Sequence, residues 1–372
     1  MAGDDIRPFR VEVPEQVLDD MRERLARTRW PDQIPNSGWD YGTDLTYLQD
    51  LCEYWGAKYD WNAQEERFNR WPHYLTEIDG QQIHFIHARS DNSSALPLII
   101  THGWPGSVAE FLDVIEPLRG EFHVVAPSLP GYGWSGPTTA PGWDVARVAA
   151  AWKTLMARLG YEHYGAQGGD WGAMVSARLA AIDSEHMVGL HSNMLLAFPK
   201  DPSTVTLDEQ ETADLAAAGE FMTRGAAYQE IQGKNPQTLG YGLTDSPAGL
   251  AGWIVEKFFH WTDNNGNPED AVSRDQILTN LTVYWVTKTI NSSVRLYCES
   301  QRGQNFGPSD DYITVPTAAA VFPKEMFRIP KAYAEARFNL VRYTRFDRGG
   351  HFAALEEPDL LVPDIKAFFG GL

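Results

Sequence analysis

Residues 165–172 read GAQGGDWG, in which Asp170 is the one side chain suited to act as a nucleophile. The small neighbours Gly168, Gly169 and Gly172 fit a strained corner between a strand and a helix. The competing reading is that Asp170 only caps the helix that follows. A serine at such a corner attacks a carbonyl and makes an acyl-enzyme. A carboxylate attacking saturated carbon instead makes an alkyl ester of the enzyme itself. Water must then cleave that ester at its carbonyl carbon, which calls for a general base and for donors to hold an oxyanion. Asp170 therefore points to substrates with a leaving group on sp³ carbon, epoxides and alkyl halides above all, and away from esterase or peptidase chemistry.

The other parts follow in chain order. His351, in RGGHFAALEEP, comes after the last strand-like run and before the helical PDLLVPDIKAFF, where a base is expected. Glu325, in AVFPKEMF just after ITVPTAAA, is the candidate acid to orient it. Asp347 lies too close to His351 in sequence, Asp310 and Asp311 precede the strand, and Asn193, at the alternative acid position, carries no charge. HGWPG at 102–106 offers the backbone N–H of Trp104 as one oxyanion donor, with Trp171 supplying the other. His102 reads as a loop-packing residue. An epoxide oxygen needs acidic O–H donors and eventually a proton, whereas a halide needs only N–H donors such as indoles. Tyr228 in RGAAYQEIQ and Tyr297 in SSVRLYCES stand in suggestive settings, although each alone, among 15 tyrosines, reads as a packing aromatic.

Positioning these residues takes a particular order of elements. After a helical start, VPEQVLDDMRERLARTRW, the runs YLTEIDG and QQIHFIHAR predict a hairpin turning at Asp79-Gly80. LPLIIT, EFHVVAP, the stretch entering GAQGG, and MVGLHSNM then alternate with helical runs, which predicts a mainly parallel sheet with helices on both faces. Residues 195–308 are helical and aromatic without strand alternation, and strands return with DYITVPTAAAVF and LVRYTRF. With the triad order Asp, Glu, His, this predicts an α/β-hydrolase fold. Its expected parts are an N-terminal meander over 1–72, core over 73–194, an inserted helical cap over 195–308, and core over 309–372.

Composition narrows the class. The 372 residues suffice for a large core, and a net charge of −19 argues against nucleic acid, whose phosphates need a basic face. Two cysteines, Cys52 and Cys298, imply free thiols and a reducing compartment. The acidic start MAGDDIRPFRVEVPE lacks signal-peptide features, and no apolar run would span a bilayer, so a cytoplasmic protein without membrane attachment is expected. Asn92, Asn280 and Asn291 begin chance N-x-S/T triplets. No metal-ligand spacing is present, so neither metal nor organic cofactor is expected. Oligomeric state is left open, a homo-oligomer included.

Nearly the whole chain resembles the microsomal-type epoxide hydrolase family, in its bacterial branch. The resemblance is carried by RPFRVEVPEQVLDDMRERLARTRWPD, HGWPGS, GGDWG, YQEIQGKNPQTLGYGLTDSPAGLAGWIVEKF, LTNLTVYWVTKTINSSVRLY, FPKE and RGGHFAALEEP. It implies that Tyr228 and Tyr297 are the ring-opening pair, that Glu325 is the charge-relay acid, and that the substrate is a small-molecule epoxide opened to a vicinal diol. No counterpart of the membrane-anchoring segment of mammalian members is read in the start of this sequence, so a soluble enzyme is expected. The chain is also similar to actinobacterial epoxide hydrolases of natural-product pathways, enediyne antibiotics included. A haloalkane or haloacid dehalogenase is the alternative activity, and a catalytically silent ligand-binding hydrolase fold is a third reading.

Overall fold

The computed structural model describes residues 5–307 and 311–372. Its strand-forming runs assemble into one nine-stranded sheet. The strands are β1 (Arg7–Phe9), β2 (His73–Ile78), β3 (Gln81–Ala88), β4 (Leu96–Thr101), β5 (Phe122–Pro127), β6 (Tyr164–Gly168), β7 (Met187–Ser192), β8 (Ile313–Val321) and β9 (Phe338–Arg345). Their spatial order is β1-β2-β3-β5-β4-β6-β7-β8-β9. Strands β4 to β9 pair in parallel, and β1 to β3 extend one edge antiparallel. The near-continuous apolar runs of β4 and β5 reflect burial on both faces. Asp79 and Gly80, with φ of 54° and 74°, make the β2–β3 turn that an Asp-Gly pair favours. β1, only three residues long and rich in charge and proline, lacks any alternating signal and was not expected.

Helices cover both faces of the sheet, as α/β alternation requires. The helix Val145–Arg158 begins where the Asp144 carboxylate accepts the Arg147 N–H at 2.9 Å. It buries Val148, Trp152 and Leu155 at helical spacing, and the Trp152 indole donates to Thr101 at the end of β4. The C-terminal helix Pro358–Phe369 lays Phe369 over Gly165 of β6 and Phe368 over Gly189 of β7. Strand order reverses at β4, which has β5 on one side and β6 on the other. Such a reversal leaves a crevice at the carboxyl ends of the strands. The HGWPG loop leaves β4 there, and Asp170 leaves β6.

Between β7 and β8 the chain forms a run of helices from Glu209–Arg224 to Ile290–Arg302. The N-terminal helices brace it. Trp55 donates to Thr282 at 2.9 Å, the Tyr59 hydroxyl meets Thr279 at 3.0 Å, and Trp39 stacks on Phe259 with centroids 4.0 Å apart. On the other side Asp214, fully buried in helix Glu209–Arg224, binds Arg328 at 2.8 Å and pairs with Arg345 of β9. Removing one member of a buried ion cluster leaves the rest uncompensated. Asp214→Ala should therefore lower stability in urea unfolding by about 3 kcal/mol. A loss under about 0.5 kcal/mol, the size of an ordinary surface change, would contradict this role.

Candidate active site

The ends of β4, β6, β8 and β9 bring the candidate residues together. Asp170 joins β6 to the helix Trp171–Ile182 with φ 50° and ψ −128°, a backbone that a residue with a side chain rarely adopts. Close packing holds it there. A methyl group on Gly172 would lie 1.9 Å from the Thr101 carbonyl oxygen, and one on Gly103 would lie 2.2 Å from Asp170 Oδ1. Only glycine lets the β4 loop and the helix close on the corner this tightly. The Asp170 side chain makes no capping bond to its helix, which disposes of the capping alternative. Its two oxygens face different partners: Oδ1 accepts the Trp104 N–H at 2.7 Å, and Oδ2 lies 3.4 Å from Nε2 of His351. Trp171, first in its helix, carries one of the N–H groups that no intrahelical carbonyl accepts.

Beyond the ring, Nδ1 of His351 meets Glu325 Oε2 at 2.8 Å. Glu325 is itself buried and fixed: Oε1 accepts the Phe327 N–H at 3.1 Å, and its backbone carbonyl accepts from Arg328 at 2.7 Å. Burial opposes a charge on His351, but the carboxylates of Glu325 and Asp170 outweigh it and raise the ring well above its ordinary value. Asp347 is exposed, Asp311 pairs with Arg178, Asn193 accepts a hydrogen bond from Gln167, and Asp310 lies outside the described residues. His102 packs as expected, with Nδ1 on the Gly103 carbonyl at 3.0 Å and Nε2 accepting from Leu129. Burial holds its ring neutral, down to about 4.

Tyr228, from helix Ala227–Lys234, and Tyr297, from helix Ile290–Arg302, meet with ring centroids 5.9 Å apart. The Trp104 indole stacks on Tyr228 at 5.3 Å, and the Trp171 indole stands edge-on to Tyr297 at 4.6 Å. The two tryptophans flanking the Asp170 carboxylate are thus also the walls that carry the tyrosines. Burial, reinforced by the Asp170 charge, pushes both phenols above their ordinary range, so both remain O–H donors at neutral pH.

This geometry has close counterparts. Residues 6–111 match the family described as "Epoxide hydrolase N terminus", and residues 97–358 match "alpha/beta hydrolase fold". The chain is 46% identical to a Stigmatella aurantiaca protein provisionally named an epoxide hydrolase, covering 98% of this chain and 84% of that one. It is 35% identical to "Epoxide hydrolase 1" of Oryctolagus cuniculus, covering 100% of this chain and 90% of the other. The chain belongs to the epoxide hydrolase family. The crystal structure of juvenile hormone epoxide hydrolase from Bombyx mori superposes with a TM-score of 0.90 at 32% identity, covering 99% of this hydrolase and 94% of that chain. Bacterial, mammalian and insect relatives share the match, which establishes the family and singles out no branch. Among the described residues, no helix of the hydrolase is long and apolar enough to cross a membrane.

Sequence reasoning missed the residues that hold the HGWPG loop of this hydrolase. Asn280 Nδ2 donates to the Pro105 carbonyl at 2.7 Å and Oδ1 accepts from Ser107 at 2.8 Å, while the Tyr284 hydroxyl donates to the Gly106 carbonyl at 2.7 Å. Asn280 and Tyr284 are four residues apart and share one face of a buried helix, a signal that its chance N-x-T triplet obscured. Glu110 was also missed, though it is the single acid in the apolar run GSVAEFL just after HGWP.

A ring whose folded value is raised contributes stability that is present below its unfolded value and lost as the pH climbs through the folded one. The stability difference between the native hydrolase and His351→Gln, from urea unfolding, should be largest below about pH 6.5 and shrink in the alkaline range. A difference that stays flat would mean that the resting ring is uncharged.

Proposed function

We propose that the enzyme opens epoxides through a covalent ester on Asp170, and that residues 195–308 act as the cap carrying the ring-opening tyrosines. One observation carries this reading. The Asp170 carboxylate is split between a backbone donor at Oδ1 and His351 at Oδ2, and the tryptophans on either side of it carry two buried phenols whose rings meet.

In the first step Oδ2 of Asp170 attacks a ring carbon and the C–O bond on the far side breaks. Tyr228 and Tyr297 hold the epoxide oxygen, and one of them gives it a proton. Their own acidity is low, so the transfer occurs only as the oxygen becomes an alkoxide. Alkylation also cancels the charge on Asp170, one of the two that raise His351. The imidazolium then returns a proton to the tyrosinate and becomes the neutral base that the second step requires. It takes a proton from water, the oxygen attacks Cγ of Asp170, and the Trp104 and Trp171 N–H groups hold the oxyanion at Oδ1. Collapse releases the diol and restores both the carboxylate and the charged ring. A place in secondary metabolism, enediyne biosynthesis included, is supported by the sequence resemblance alone.

His351→Gln should preserve the first step and slow the second by roughly 10²- to 10⁴-fold, so the ester should accumulate. Intact mass with a panel of small epoxides should show a gain equal to the whole epoxide, mapped to the peptide containing Asp170. Adding phenylalanine at both 228 and 297 should abolish that gain. An adduct lacking HCl from a chloroalkane panel, or an epoxide adduct at another residue, would overturn the reading.

A further inference from the structure

At the Asp170 corner, lined by residues from outside the tyrosines' helices, the protein holds a cavity of about 20 Å³. That is room for about one water molecule. Its polar lining is Asp170, His351, Gln167, Asn193 and Glu110, with Thr101 and His102. Glu110 comes from the short helical turn Val108–Phe111 that follows HGWPG. Its carboxylate leans against the backbone of that motif, since a methyl group on Gly106 would lie 1.3 Å from Glu110 Oε1. Among the described residues no ion pair holds it, and the nearby Ser107 N–H and the His351 charge are what favour its ionised form. An ionisable side chain taken partly out of water without an ion pair is costly to keep. The loop nevertheless carries it at the one place where the nucleophile and the base share a cavity.

We infer that Glu110 seats the hydrolytic water, accepting one hydrogen bond from it while His351 Nε2 accepts the other and the water's oxygen faces Cγ of Asp170. Glu110 is therefore a positioning residue for the second step. The inference rests on the ester mechanism proposed above. A water with two acceptors has both protons directed and one lone pair free to attack, which is the orientation that an addition to Cγ needs. Bond changes are those of the second step alone: the O–H bond facing His351 breaks as O–Cγ forms, and Glu110 keeps its partner throughout.

The charges facing Glu110 fit this role. Burial raises its carboxyl to about 8, with Asp170 pushing the same way and the His351 charge and the Ser107 N–H pulling it down. Tyr284 beside it is an uncharged phenol, and His102, which also lines the cavity, is held neutral by burial. Once Asp170 becomes a neutral ester, its upward push is gone. The pull of the His351 charge is gone as well when that ring serves as the neutral base, so Glu110 accepts the water's hydrogen at an oxygen that carries no proton.

The test is single-turnover kinetics of Glu110→Gln with a small epoxide, following formation and loss of the Asp170 ester by quench-flow and intact mass. Ester hydrolysis should slow roughly 10- to 100-fold, ester formation should change far less, and the hydrolysis rate should lose its dependence on pH around 8. Glu110→Asp should recover part of the rate. Gly106→Ala, which drives a methyl into the carboxylate's place, should slow hydrolysis in the same selective way and serves if Glu110→Gln does not fold. Equal slowing of both steps, or an unaltered pH profile of hydrolysis, would overturn the assignment of Glu110. His351→Gln is run alongside: if it accumulates an Asp170 ester while Glu110→Gln hydrolyses normally, only the water seat fails, and if it accumulates none, the ester mechanism itself fails.

Discussion

The ring of His351 is buried between two carboxylates, and their charges hold it well above its ordinary range against the cost of burial. Its Nδ1 lies 2.8 Å from the buried Glu325 and its Nε2 lies 3.4 Å from the partly exposed Asp170, so one buried cation serves two carboxylates. Without Glu325, the ring would shed its charge to burial. Much of the surrounding architecture serves this arrangement. The strand reversal at β4 opens the crevice, the Asp170 corner aims the carboxylate at Nε2, and Arg328 ties the Glu325 backbone to the buried Asp214.

The tyrosines depend on a different support. They reach the site from helices between β7 and β8, and such an insertion could rock relative to the sheet. The N-terminal helices oppose that by hydrogen bonds from Trp55 and Tyr59 to the helix Arg274–Thr287. The same helix grips the HGWPG loop through Asn280 and Tyr284. A continuous run of packed contacts thus connects the start of the chain to the donor at Oδ1. The N-terminal segment, too poor in apolar residues to form a core of its own, works as a brace.

Chemistry was legible in the sequence wherever local backbone demands restrict residue type. The glycines around Asp170 are required by approaches near 2 Å, and such constraints leave a visible motif. Element order was legible for the same reason, because parallel strands buried on both faces read as apolar runs. The pairing of Glu325 with His351 followed from chain order. What stayed hidden depends on contacts between distant segments: Asn280 and Tyr284 act on a loop more than 170 residues away, as the separations of their hydrogen bonds show. Glu110 stayed hidden because a lone acid in an apolar run gives no sign of what it faces, and β1 because a short edge strand has no pattern of its own. Asp170 itself resolves the ambiguity of its motif only in three dimensions, where its side chain turns away from the helix it precedes and toward Trp104 and His351.

The central claim is that water attacks the enzyme's ester and never the epoxide. It is tested most directly by one turnover with excess native enzyme in water enriched in ¹⁸O. The account predicts that the first diol carries no label and that one ¹⁸O atom appears in the peptide containing Asp170, because the product oxygen comes from the carboxylate and is replaced from water. Label in the diol of that first turnover, with none in the peptide, would mean that water attacks the ring carbon directly and that Asp170 is a base or an electrostatic partner.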